Sequence, residues 1–180
     1  MRITGGEARG RSISGPDGLE LRPTGSKLRQ AFFNILGNKL NASSFLDLCA
    51  GTGLMGLEAL SRGAGSLIAV EENRKSARNI EANLKHLGYE GEVICSDLRR
   101  VIPLLAPKSF DIIYADPPYK SEIFVSIIEL VDKHKILAAD GLLVLEHLRN
   151  RKLPEKVGEL ELSSIRHYGQ SSLSFYKIKD

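Results

Sequence analysis

The chain has 180 residues, 42% of them hydrophobic and 26% charged, a composition that suits one soluble globular domain able to bury a core without disulfide or metal staples. No apolar run approaches membrane-spanning length. The start, Met1-Arg2-Ile3-Thr4-Gly5-Gly6, lacks a secretory apolar segment, and Cys49 and Cys95 have no metal-ligand spacing, so a cytoplasmic protein with reduced, buried thiols is expected.

The net charge is +3, and residues 1–30 hold all of it, with six basic side chains against three acidic ones. Such a basic arm suits a polyanion contact as well as it suits a solvated face. Gly5-Gly6, Gly10 and Gly15-Pro16-Asp17-Gly18 break residues 1–23 into short extended pieces. Thr24 is placed to cap a helix running to about Leu40, with Leu28, Ala31, Phe32, Ile35 and Leu36 as its buried stripe. From Ser44 the pattern alternates. Strands are expected at 45–48, 67–70, 93–95, 110–115 and 142–145. Helices are expected at 54–62, at 74–87 between an Asn73 cap and Gly88, weakly at 99–105, and at 122–132. Residues 160–168 and 172–178 alternate around Gly169-Gln170 as an antiparallel hairpin. The alternation predicts an α/β fold with a mostly parallel sheet covered on both faces.

Two stretches carry chemistry. Asp116-Pro117-Pro118-Tyr119 follows the fourth strand. Neither proline has an N–H for a ladder, so the strand stops and both carbonyls remain as acceptors. A carboxylate before them and an aromatic ring after them make a wall for a planar group bearing an amine. Alone, this stretch reads as a strand terminator beside a core aromatic; its coupling to a glycine loop about 65 residues upstream favours catalysis. That loop, Asp47 to Gly56, contains Gly51-Thr52-Gly53-Leu54-Met55-Gly56, with Glu71 at the end of the second strand. The spacing matches a dinucleotide fingerprint, in which the acid holds ribose hydroxyls. Asp47, however, faces a pyrophosphate badly and suits a cationic amino acid end. S-adenosylmethionine, which has an adenosine, a cationic methionine and no phosphate, therefore fits better than a nicotinamide cofactor. Asp97 is placed either to accept from an adenine amine or to cap the helix after it. His86, His134, His147 and His167 have no mutual spacing for a metal, and none is expected. Glu146-His147 ends the fifth strand near the ligand-bearing edge, which leaves a site role open.

With these motifs the chain resembles, over nearly its whole length, the bacterial 16S ribosomal RNA guanine-N2 methyltransferase family of the guanine-966 type. The resemblance rests on Met1-Arg2-Ile3 with Gly5-Gly6 and Gly10-Arg11, on Leu21-Arg22-Pro23-Thr24 with Lys27 and Arg29, on Asp47 to Ala64, on Val70-Glu71, on Asp116 to Tyr119, and on Tyr168-Gly169-Gln170. Glu7-Ala8 departs from it, since relatives often carry basic or aromatic residues there. The resemblance implies a Rossmann-like S-adenosylmethionine-dependent methyltransferase fold, with a mostly parallel seven-stranded sheet, an antiparallel C-terminal hairpin and a short N-terminal extension. It divides the chain into a basic, RNA-contacting arm and helix at 1–40 and a methyltransferase domain at 41–180. The implied cofactor is S-adenosylmethionine, and the implied partner is 16S rRNA in a partly assembled small subunit; a monomer is expected.

The expected cofactor residues are Asp47, Ala50, Gly51, Thr52, Gly53, Gly56, Glu71, Glu72, Asp97, Leu98 and Asp116. Asp116, Pro117, Pro118 and Tyr119 are the expected catalytic set. Arg2, Arg9, Arg11, Arg22, Thr24, Lys27 and Arg29 are the expected RNA contacts. Asp116 and the Pro117 carbonyl would accept from the target amine and aim its lone pair at the methyl donor, while Tyr119 stacks on an unstacked base. Three other functions share some of these features. They are DNA or RNA adenine-N6 or cytosine-N4 methylation, nicotinamide-dependent oxidoreduction, and a non-catalytic RNA-binding assembly role.

Overall fold

The computed structural model describes residues 1–15, 23–118 and 123–179. Residues 1–15 double back on themselves: Ile3 N donates to Arg11 O (3.1 Å), Ile13 N donates to Met1 O (2.9 Å), and Arg2 and Ser12 form an antiparallel bridge. This loop is no free arm, because Ile3, Ala8 and Ile13 are buried in the same core as the helices that follow. Helix α1 spans Pro23–Leu36 and tightens into a 3-10 turn at Gly37–Leu40.

The alternating region folds as β1 (Ser44–Leu48), α2 (Leu54–Ser61), β2 (Ser66–Val70), α3 (Arg74–Leu87), β3 (Glu92–Ile94), α4 (Leu98–Val101), β4 (Phe110–Ala115), α5 (Ile123–His134) and β5 (Leu137–Leu148). Strands β6 (Lys156–Val157), β7 (Leu160–Tyr168) and β8 (Ser171–Ile178) complete one sheet, ordered β3-β2-β1-β4-β5-β8-β7-β6. The first five strands are parallel, and the last three join antiparallel. Seven strands were expected; the eighth is β6, whose two residues are too short to leave an alternating pattern. The weak helix expected at 99–105 is α4 followed by a 3-10 turn at Ile102–Leu104, where Pro103 cannot continue the α-helical ladder.

Local chemistry accounts for several boundaries. The Asn73 side chain accepts from Lys75 N and Ser76 N at the start of α3, and Gly88 ends that helix at φ 77°. Side-chain alternation sends Phe45, Tyr114 and Val144 to a core under α1, α2, α3 and the N-terminal loop. Leu46, Ile113 and Leu145 face the second core, under α4 and α5. Strand order reverses between β1 and β4, so the carboxyl ends of β1, β2 and β4 open a crevice there, the usual ligand position in open α/β sheets. Among the described residues no helix is long and apolar enough to cross a membrane.

Candidate active site

The crevice is a cavity of about 620 Å³. Its lining includes Gly51, Glu71, Glu72, Asp97, Leu98, Asp116, Pro117 and Pro118, so the structure brings the glycine loop and the proline wall to one space.

The loop after β1 is wound tightly, with φ of 60° at Cys49, 55° at Gly51 and 74° at Gly53. Glu71 holds it: its Oε2 accepts from Gly51 N at 2.6 Å, and its Oε1 accepts from Asn73 N at 2.8 Å. An ionised carboxylate has about four acceptor positions, so Glu71 retains capacity toward the cavity it lines. Asp47, Ala50, Thr52, Gly53 and Gly56 do not line the cavity; they build its floor from behind. Ala50 N donates to Val70 O (3.0 Å), Gly53 N donates to Ala50 O (2.7 Å), and the Thr52 hydroxyl accepts from Leu54 N (3.4 Å). Asp47 is buried, and its Oδ2 accepts from Gly56 N at 3.1 Å. Burial, reinforced by the nearby Glu71 charge, pushes its carboxyl up to about 7 even though the Gly56 N–H pulls it down. Burial likewise pushes the Cys49 thiol up to about 12, with Asp47, Glu71, Asp116 and Glu72 adding to the rise, so this cavity thiol stays protonated. Cys49 is half-buried and Cys95 exposed, which corrects the expectation that both thiols are buried.

Asp97 performs the helix-cap role: its carboxylate accepts from Arg99 N at 2.9 Å and pairs with the Arg99 guanidinium. These bonds hold its carboxyl down at about 2, so it stays ionised at the cavity wall.

Asp116 stands one residue past the Ala115–Leu145 pair, which sets it beside Glu146 on the neighbouring strand. Burial, then Glu146, then Asp47 push its carboxyl well above the usual range. Asp116 is also open to the cleft, and solvent access there tempers that rise. Glu146 is itself raised, chiefly by burial, while the Tyr114 hydroxyl, donating to its Oε2 at 2.5 Å, pulls it down. The paired end of β5 thus splits by face. Glu146 joins Asp116, whereas His147 turns to the other side, where its ring meets Phe124 edge-on at 6.4 Å and its Nε2 lies 2.7 Å from Ser174 Oγ. Of the proline wall, Pro117 is buried and Pro118 exposed.

The expected RNA contacts separate in the structure. Arg2, Arg9 and Lys27 are exposed. Arg11 is exposed too, but its guanidinium donates to Leu87 O (3.0 Å) and His86 O (2.6 Å), where its charge offsets the carboxyl end of α3. Arg29 requires correction: it is buried, and its Nε donates to Glu58 Oε2 at 2.7 Å, so it holds the fold together and meets no phosphate. Tyr119, Arg22 and the Thr24 side chain lie outside the described residues.

Cavity residues absent from the expected set are Cys49, Val70, Ser96, Arg99, Ile123 and Ser126. Cys49 and Ser96 each stand just beyond a parallel strand, a position that marks the ligand edge. Ile123 and Ser126 are three apart at the start of α5 and share a face.

The strand order, the wound loop after β1 and the acid-proline wall after β4 define a Rossmann-like methyltransferase fold. A model of the family described as Conserved hypothetical protein 95 matches residues 1–177, and the chain belongs to that family. Among curated relatives, Ribosomal RNA small subunit methyltransferase D of Escherichia coli (strain K12) is 31% identical over 180 residues, covering 98% of this chain and 89% of the relative. YlbH of Bacillus subtilis (strain 168) is 35% identical over 181 residues, covering 98% of each chain. The solved structure of the yhhF protein from Escherichia coli superposes with a TM-score of 0.89 at 30% identity, covering 99% of this chain and 98% of that one.

Proposed function

We propose that this chain transfers a methyl group from S-adenosylmethionine to the exocyclic N2 of a guanine in 16S rRNA, of the guanine-966 type, within an assembling small subunit. The observation that carries the reading is the placement of Asp116, Pro117 and Pro118 across one cavity from Gly51, Glu71 and Asp97. Kinship with Ribosomal RNA small subunit methyltransferase D supports the substrate class.

The residues fit this cofactor. Asp47 is a buried carboxyl poised near 7 beneath the glycine loop, so a cation nearby would hold it ionised. Glu71 would take the ribose hydroxyls, and Asp97 or the wall at Leu98 the adenine. When bound, S-adenosylmethionine supplies an electrophilic methyl on a positively charged sulfur.

The chain's own work is positioning. A guanine amine is a poor nucleophile, because its lone pair is delocalised into the ring. The Asp116 carboxylate and the Pro117 carbonyl would accept its two N–H bonds, favour a pyramidal nitrogen and aim the lone pair along the transfer line. Asp116 takes the proton as, or after, the new N–C bond forms. Because the cavity holds no duplex, the base must leave its stack, and Tyr119 is proposed as its stacking partner. Residues 1–40 are proposed as an RNA-contacting extension, with the exposed Arg2, Arg9 and Lys27 among its phosphate contacts.

The test is methyl transfer from tritiated S-adenosylmethionine to small-subunit particles, free rRNA and DNA, with the product nucleoside identified. N2-methylguanosine in rRNA is expected. Product only as N6-methyladenine or N4-methylcytosine would move the activity to another amine, since the same acceptors serve any amino group.

A further inference from the structure

Basic residues are not confined to the N-terminal segment. The loop after β5, Arg149-Asn150-Arg151-Lys152, holds three basic residues and no acidic one. It is anchored at both ends of its course. Arg149 N donates to Gln170 O in the β7–β8 turn (2.8 Å), and Arg151 N donates to Leu148 O (3.0 Å). The Arg151 guanidinium lies 4.5 Å from the Phe124 ring centroid. Phe124 sits in the first turn of α5 between Ile123 and Ser126, which both line the cavity. The loop is therefore packed on α5, the helix whose first turn contributes Ile123 and Ser126 to the cavity lining.

Arg166 reaches the same edge by strand register. Asp116 neighbours Glu146, Glu146 pairs with Leu173, and Leu173 pairs with Arg166. Register partners share a sheet face, so Arg166 lies in one row with Asp116, three strand spacings away, or roughly 14 Å. Arg149, Lys152 and Arg166 are exposed, and none belongs to an ion pair among the described residues. The positive charge of the N-terminal segment is partly engaged elsewhere, since Arg29 is paired inside and Arg11 is bound to helix carbonyls.

We propose that Arg149, Lys152 and Arg166 form a phosphate-binding shelf that holds the RNA strand flanking the target nucleotide, on the β5–β8–β7 side of Asp116. This inference rests on the reading of the chain as an RNA methyltransferase. A nucleotide drawn out of its stack into the crevice must have its flanking phosphates held within a few nucleotide lengths of Asp116; Arg166 stands in the Asp116 row, and Arg149 follows Glu146 by three residues along the strand next to β4.

The experiment compares Arg149→Gln/Lys152→Gln/Arg166→Gln with a control, Lys108→Gln/Lys133→Gln/Lys177→Gln, which removes the same charge elsewhere. Binding to a purified small-subunit rRNA transcript is measured over a range of salt, and S-adenosylmethionine binding is measured by calorimetry. On a single strand, each phosphate that is no longer neutralised by a side chain reduces the slope of log affinity against log salt by about 0.7. The shelf variant should therefore show a slope shallower by about two units and at least about ten-fold weaker RNA affinity, with cofactor affinity unchanged and the control like wild type. An unchanged slope in the shelf variant, or an equal weakening in the control, overturns the shelf. Wild type that binds cofactor yet neither binds nor methylates the RNA overturns the underlying functional reading instead.

Discussion

Arg29 on α1 and Glu58 on α2 meet across 2.7 Å with both side chains buried. Glu58 also accepts from the Arg62 guanidinium (2.8 Å), from Thr4 N (3.2 Å) and from the Thr4 hydroxyl. One carboxylate thus ties the N-terminal loop, α1 and α2 together at the back of the glycine loop. Breaking a buried pair by removing one partner leaves the other charge uncompensated, at a cost of about 3–5 kcal/mol. Glu58→Ala should lower unfolding stability by that amount in denaturant titrations. Glu58→Leu combined with Arg29→Met should recover much of the loss, because no buried charge from that pair is then stranded. A double variant as unstable as the single one would contradict this account.

Asp47 should couple stability to ligand binding. Its folded carboxyl stands near 7 against an ordinary 3.8. The folded state therefore holds the proton more tightly, and the stabilisation it contributes is full below about pH 4 and is lost as pH rises to about 7. Asp47→Asn keeps an acceptor for Gly56 N–H and carries no charge. Its stability advantage over wild type should open across that window, to the order of 4 kcal/mol at most. The same variant should bind S-adenosylmethionine more weakly at pH 8. Melting curves from pH 4 to 8 and calorimetry check both halves; parallel melting curves would refute the coupling.

Asp116→Asn should reduce methyl transfer by about a hundred-fold or more, the scale of losing a positioned proton acceptor. Cofactor affinity should change less than ten-fold, because the glycine loop and Glu71 are untouched. Single-turnover rates and calorimetry separate the two quantities. Equal loss of both would mean that Asp116 serves binding alone.

Glu146 should set the pH at which Asp116 works. Burial and then the Glu146 charge oppose ionisation of Asp116, so in wild type the rate should rise with pH as Asp116 loses its proton. Glu146→Gln removes that opposing charge, while the Gln carbonyl can still accept from Tyr114. The acidic limb of the rate profile should move to lower pH. An unmoved limb would show that the two carboxyls titrate independently.

Gly53 precedes α2 at φ 74°, and a Cβ there would lie 2.8 Å from Ile80 Cγ1. Gly53→Ala should cost about 1–2 kcal/mol from backbone strain alone, with a further penalty from the clash with Ile80. The melting temperature and cofactor affinity should fall together, since the strained residue begins the helix that carries Gly56.

Much of the architecture was legible in the residue order because its causes act over short distances. Asn73 and Gly88 bracket α3 through bonds to residues within one turn, and Pro117-Pro118 ends β4 by withholding two donors. Alternating apolar runs marked the parallel strands, and the spacing from Gly51 to Glu71 placed an acid beside the wound loop, where it bonds Gly51 N. Charge partnerships were not legible in this way. Arg29 meets Glu58 across 29 positions, and Asp116 meets Glu146 only because β4 and β5 pair in that register. Asp47 turned out to lie beneath the loop, with its charge opposed by burial, rather than in the cavity. Periodicity and capping are fixed by neighbours along the chain. Which charge is buried, paired or left facing the crevice depends on what packing brings together from distant segments, and the energy of that choice exists only once the sheet and its two helical layers have closed.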